Sequence, residues 1–271
     1  MIRATRTLAL VCAAGLAAAA SPAVPARAAL AREAVQLRIV GGTQSAEGSY
    51  PWMARIRMPA GTQGYAICGA TLISPDILLT AQHCVDDATR LEAFVGKVDW
   101  KSAEPAGLKR ESSQFRQGTG PLRGDWAVAR LTTPLDLPAY PLLPASAAHD
   151  AGPTFRALGY GKTAQKAPKS EQYLREVDLP AVPDSRCGAA PRYEVCAGDW
   201  ERGGVDTCQA DSGGPLLKQV PGGWLQVGVT SWGHGCGRPQ SPGHYTRVSA
   251  VVRDIQAAIT ALGGQPARTA A

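Results

Sequence analysis

Residues 224–233 read WLQVGVTSWG, ten residues dominated by Val, Leu, Thr and Trp and closed by a glycine. Such a run suits a strand, because branched and aromatic side chains pack well on a pleated, half-buried surface. The pattern repeats in both directions as AICGATLIS (66–74), ILLTAQ (77–82), LEAFVG (91–96), AVARL (127–131), FRALGYG (155–161) and HYTRVS (244–249). Glycines and prolines punctuate these runs roughly every ten residues, so the chain reads as all-β, spaced for barrels or a sandwich.

Two segments break the pattern. TPLDLPAYPLLPASAAHDAG (133–152) holds four prolines and no steady period, and reads as an extended connector between two halves of similar size. A single helix closes the domain: Val251, Val252, Ile255, Ile259 and Leu262 share a face, Ser249 is placed to cap it, and Gly263 to end it. The last residues, 264–271, read as a disordered tail. No internal repeat is visible.

The beginning of the chain is of another kind. Arg3 and Arg6 precede TLALVCAAGLAAAA, an apolar stretch interrupted by Pro22 and Pro25 and followed by Ala26-Arg27-Ala28. This is a secretory leader pattern with cleavage expected after Ala28, which directs the product to an extracellular, oxidising space. Setting Cys12 aside with the leader leaves Cys68, Cys84, Cys187, Cys196, Cys208 and Cys236, an even number that can pair completely. No CxxC pair suggests zinc. The net charge of +6 shrinks to +2 once the first 38 residues are removed, with 23 basic and 21 acidic residues left and interspersed. That distribution excludes the basic stripe of a nucleic-acid binder.

Chemistry concentrates in CQADSGG (208–214). Asp, Ser and Gly are also residues that turns select, but a serine hydroxyl becomes a nucleophile if a base takes its proton and a further group orients that base. Ser212 therefore needs a histidine and a carboxylate. Of four histidines, His83 in LLTAQHC ends an apolar run beside a cysteine, and Asp125 in GDWAVARL begins another.

IVGG (39–42), LLTAQHC (78–84), DWAVARL (125–131), CQADSGGP (208–215) and SWGHGCG (231–237) together resemble the motifs of trypsin-like serine proteases, in that family's order, across 39–262. The resemblance implies two packed six-stranded antiparallel β-barrels with a C-terminal helix, joined near 133–152, in a protease domain spanning 39–263. It implies His83 as general base and acid, Asp125 as its orienting partner, Ser212 as nucleophile, and the N–H groups of Ala210 and Ser212 as the oxyanion hole. It pairs Cys68 with Cys84, Cys187 with Cys196, and Cys208 with Cys236. Asp206 stands at the floor of the specificity pocket, Gly233 and Gly243 keep its walls open, and Ser231, Trp232 and Gly233 run beside an extended substrate. Polypeptides with Arg or Lys before the scissile bond follow as substrates, and protein inhibitors as partners. The Arg38–Ile39 bond is itself such a site, so 29–38 reads as an activation propeptide whose removal lets the Ile39 amine pair with Asp211.

No cofactor, metal, nucleic acid or membrane is expected, and the family analogy favours a monomer. Two residues depart from the family pattern, Ala210 where glycine is usual and Gln82 where alanine is usual. They keep open an alternative, a secreted binding protein that has lost most turnover. Asp184 and Glu194 offer oxygens near the Cys187 loop but not a calcium cage. His149, His234 and His244 read as surface or rim residues rather than ligands, and His244 stands where an apolar residue is usual.

Overall fold

Each apolar run becomes a strand because its partner run satisfies its backbone groups. In the computed structural model, which describes residues 1, 39–60, 64–120, 123–188 and 190–271, the first half of the chain forms β1 (Thr43–Gln44), β2 (Met53–Ala60), β3 (Gly64–Ser74), β4 (Ile77–Thr80), β5 (Leu91–Val95), β6 (Lys109–Ser112), β7 (Gln114–Gln117) and β8 (Ala127–Arg130). The second half forms β9 (Leu143–Pro144), β10 (Thr154–Gly159), β11 (Arg175–Val182), β12 (Glu194–Ala197), β13 (Pro215–Val220), β14 (Gly223–Trp232), β15 (Gly243–Arg247), the helix α1 (Val248–Ala261) and β16 (Thr269–Ala270). Of the leader expected at 1–28 and the propeptide expected at 29–38, residues 2–38, including Arg38, lie outside the described residues.

The first half builds one antiparallel sheet in the order β6-β5-β2-β3-β4-β8-β7. Its two edge strands are separated in the chain by Ser113 alone, so the sheet must curl to bring its edges together there. In the second half, β11-β10-β13-β14-β15-β12 closes into a six-stranded barrel through the β11–β12 pairing, with β1 added on β11. The all-β fold therefore holds as expected, with one closed six-stranded barrel and a curled, seven-stranded half-barrel sheet whose edges β6 and β7 pair separately with β5 and β8.

Phe155, Leu179, Leu216, Val227 and Tyr245 fill the closed barrel. A larger apolar cluster joins Ile56, Leu72 and Leu79 of the first sheet to Leu158, Leu217 and Val229 of the second. The chain ends cross over. Ile39 is buried in the second core and β1 pairs there, whereas Val251, Val252, Ile255 and Ile259 of α1 pack in the cluster shared by both halves, against β7 and β8 of the first and β9 and β14 of the second. The expected helix face is thus the buried face.

Two local expectations are corrected. Ser249 does not cap α1: the helix begins at Val248, and the Ser249 hydroxyl donates instead to Asp150 at 2.6 Å. The tail is ordered: Gln265 N–H donates to Asp76 at 2.9 Å, the Gln256 amide donates to the Ala267 carbonyl at 2.7 Å, and β16 pairs in parallel with β9. GGQPARTAA has no apolar period of its own, and its order comes from backbone partners in the 133–152 connector and from the Asp76 carboxylate just before β4.

Candidate active site

Strand ends and the turns after them position the polar residues. β4 ends in a short 3-10 turn, Gln82–Cys84, that holds His83, and Asp125 lies just before β8. The His83 N–H donates to Asp125 Oδ1 at 3.1 Å, and His83 Nδ1 lies 2.7 Å from Oδ2. The Ser231 hydroxyl donates to the same Oδ2 at 2.6 Å. Asp125 is fully buried, which alone would raise its pKa, but the His83 contact and the Ser231 hydroxyl outweigh burial and bring it below the usual carboxylate range. For His83, burial acts downward, and the bond to Asp125 with the charges of Asp125 and Asp86 moves the net value up. This pair is an imidazole held in one orientation by an ionised carboxylate.

Ser212 belongs to the other half, and its backbone is tied to the first sheet beside the His83 turn. Gly69 N–H of β3 donates to the Ser212 carbonyl at 2.7 Å, and Cys84 Sγ lies 3.7 Å from the same oxygen. Gly213, with φ +79°, sits so close that a Cβ would lie 2.1 Å from Thr80 Oγ1 and 2.5 Å from the Gly69 carbonyl. Only glycine permits this approach, and it clamps the serine loop onto the first sheet. Among the described residues no hydrogen bond joins the His83 ring to the Ser212 hydroxyl. Free active sites often keep this contact long until substrate arrives. Gln82, half-buried, turns its amide to Asp86 at 2.8 Å.

Beside Ser212 opens a cavity of about 220 Å³ whose lining includes Asp206, Ser231, Trp232, Gly233 and Gly243. Asp206 is 2% exposed; its Oδ2 accepts from Gly237 N–H at 2.8 Å, and its Oδ1 has no partner among the described residues. Burial pushes the carboxyl up to about 7 against the hydrogen bonds from Gly237 and Thr207. A Cβ on Gly243 would stand 2.7 Å from that free oxygen, so the glycine keeps the carboxylate reachable. Five predicted pocket residues therefore meet in one cavity.

Asp211 is wholly buried. Its oxygens accept from Gly161 N–H at 2.7 Å and Cys208 N–H at 2.9 Å, and burial raises it to about 7. Among the described residues it has no cationic partner. Ile39 is buried, and its neighbour Val40 bridges to Asp206. Ala210 has φ +74°, the left-handed region usual for glycine, at a cost of about 1–2 kcal/mol for its Cβ.

The cysteines pair as Cys68–Cys84, Cys187–Cys196 and Cys208–Cys236. The first braces the His83 turn, and the last joins two walls of the cavity. No helix among the described residues is long and apolar enough to cross a membrane.

A family model described as Trypsin matches residues 39–255. The chain belongs to the trypsin family. This trypsin-family chain is 35% identical over 242 residues to the "Trypsin-like protease" of Streptomyces glaucescens, covering 86% of each chain. It is 34% identical over 229 residues to "Serine protease 56" of Mus musculus, covering 78% of this chain and 37% of that one. Both relatives place it among serine-type peptidases acting on polypeptides.

Sequence reasoning missed one group in this trypsin-family site. Trp232 Nε1–H donates to Glu194 at 2.8 Å, and His244 stacks on Trp232 at 3.6 Å while its Nδ1 lies 3.3 Å from Glu194. His244 is thus buried rather than at the surface or rim; its departure from the usual apolar residue was the available signal, but its pairing needed the register of β12, β14 and β15. Asp184 binds Arg247 at 2.6 Å and Glu194 faces Trp232, so the two carboxylates do not converge on a shared site.

Proposed function

We propose that this chain is a secreted serine endopeptidase that cleaves after Arg or Lys. The observation that carries the preference is the partnerless Asp206 oxygen facing a cavity beside Ser212. A buried carboxylate left without a cation is stabilised by one, and a guanidinium or ammonium on a long side chain supplies it. With that side chain seated, Ser212 Oγ attacks the carbonyl carbon as its proton passes to His83, and Asp125 stabilises the imidazolium. The N–H groups of Ala210 and Ser212 receive the oxyanion. Collapse expels the amine, which takes the proton from His83, and leaves an acyl-enzyme. Water, deprotonated by His83, then releases the acid and restores Ser212.

Activation follows from Asp211. Its carboxyl has two N–H donors and, among the described residues, no cation, and cleavage of Arg38–Ile39 would free an amine on the buried Ile39 that can neutralise it. The leader pattern at 1–28 supports export, protein inhibitors would fill the same cleft, and the family analogy supports a monomer. The binding-protein alternative rests on Ala210; its left-handed backbone favours strain over a flipped peptide, and so favours retained turnover.

The deciding experiment is hydrolysis of a peptide amide after arginine by the chain beginning at Ile39. Ser212→Ala should lower kcat by roughly 10⁴-fold or more, and Asp206→Ser should shift preference away from Arg and Lys. Turnover no faster than the Ser212→Ala protein would transfer the assignment to the binding reading.

A further inference from the structure

A second, larger concavity of about 610 Å³ adjoins the site, and its lining changes over at one residue. Gln209 and Ser212 line the Asp206 cavity, whereas Ala210 between them lines this groove. With the residue before the bond seated over Asp206, the chain after the bond leaves across Ala210 into the groove. Its charges are one-sided. Arg55 forms its floor, Lys162 is half-buried, and Lys101 and Lys169 are exposed at its margin. Its acidic lining residue, Glu171, is engaged by Arg175 at 3.5 Å.

Arg55 is the anomaly. It is 5% exposed, its guanidinium lies 4.1 Å above the Trp100 ring, and among the described residues it has no ion pair and its Nε has no acceptor. Burial, then the charge of Arg57, draws its pKa down to about 10, the direction of a desolvated cation without an anion, yet it stays charged at neutral pH. Such a group gains more from an incoming carboxylate than any exposed lysine can.

Resting on the peptidase reading above, we propose that the groove beyond Ala210 selects substrates with an acidic side chain within the first two positions after the scissile bond, with Arg55 as the specificity-determining residue and Lys162 assisting. Charge-assisted pairing of this kind is worth roughly tenfold or more in affinity.

The test separates binding from turnover. Peptides amidated at their C-termini, so that no terminal carboxylate competes, carry Arg before the bond and Glu or Gln at the first or second position after it. Their affinities are measured by calorimetry on the Ser212→Ala protein beginning at Ile39. At one of the two positions Glu should bind at least tenfold tighter than Gln, and Arg55→Met, which keeps an apolar contact with Trp100, should erase the difference. Should Arg55→Met fail to fold by thermal unfolding, Lys162→Met carries the comparison and must shrink the ratio. Equal affinities for Glu and Gln peptides, or a ratio unmoved in both folded variants, overturns the proposal. Cleavage of the same peptides by the protein with Ser212 intact reads the peptidase assignment separately: a Glu preference in binding with no cleavage sinks that assignment and sustains the groove.

Discussion

At the scale of single residues, the departures from the family pattern acquire physical prices that differ in kind. Ala210 holds φ +74°, so its Cβ is a strain carried in the folded state. Ala210→Gly removes about 1–2 kcal/mol of strain but loosens the unfolded chain by about 0.4–1 kcal/mol. The variant should be more stable by about 1 kcal/mol, with kcat changed less than tenfold, as thermal unfolding and kinetics on one preparation would show. Asp206 makes a prediction about pH. Its carboxyl, held near 7 by burial, must lose its proton before a cation gains from it. Affinity for a small aromatic amidine should therefore rise about tenfold per pH unit up to about pH 7 and level off above. The carboxyl's own effect on the empty fold runs the other way: bound more tightly in the folded state, the proton stabilises at low pH, and that contribution is lost as pH climbs from about 4 to about 7. A flat amidine affinity between pH 5 and 8 would remove Asp206 from the pocket floor.

At the scale of elements, β12, β14 and β15 together hold Trp232, with Glu194 accepting its N–H and His244 stacked beneath. Burial lowers the His244 pKa more than Glu194 restores it, so near neutral pH the imidazole is uncharged and its stacking is that of a neutral ring. Glu194→Leu leaves the indole N–H and His244 without their acceptor, which should destabilise by about 1–3 kcal/mol. It should raise KM for peptides that extend several residues before the scissile bond while sparing single-residue amides; equal KM changes in both would limit Glu194 to the fold. This clamp was illegible in the sequence, because its three members are 12 to 50 residues apart and meet only through strand register. The uniform apolar runs of β3, β4, β8 and β14 were legible, since burial on both faces leaves a continuous signal. β2 was not, because Arg55 and Arg57 interrupt its run, nor was β11, whose Pro180 falls in the ladder. The sequence could single out His83, Asp125 and Ser212 because each sits in a contiguous motif; what each touches was not legible there.

At the scale of the whole molecule, the site lies on a seam, with His83 and Asp125 carried by one half and Ser212 by the other, and Gly213 holding the halves within contact. The ends of the chain reinforce that seam by a partial exchange: Ile39 and β1 belong to the second half, and α1 sits in the cluster the two halves share, against β7 and β8 of the first and β9 and β14 of the second. Neither half owns all the strands and helices that complete it. Melting the first sheet must strip α1 from its seat, and melting the barrel must withdraw Ile39, so partial disassembly exposes apolar surface on both sides at once. Calorimetry of the chain beginning at Ile39 should accordingly give a single endotherm whose van't Hoff and calorimetric enthalpies agree, and two resolved transitions would contradict the exchange. For a peptidase this cross-bracing is a defence against itself, since a half that opened alone would present an unfolded, extended chain to a neighbour's cleft.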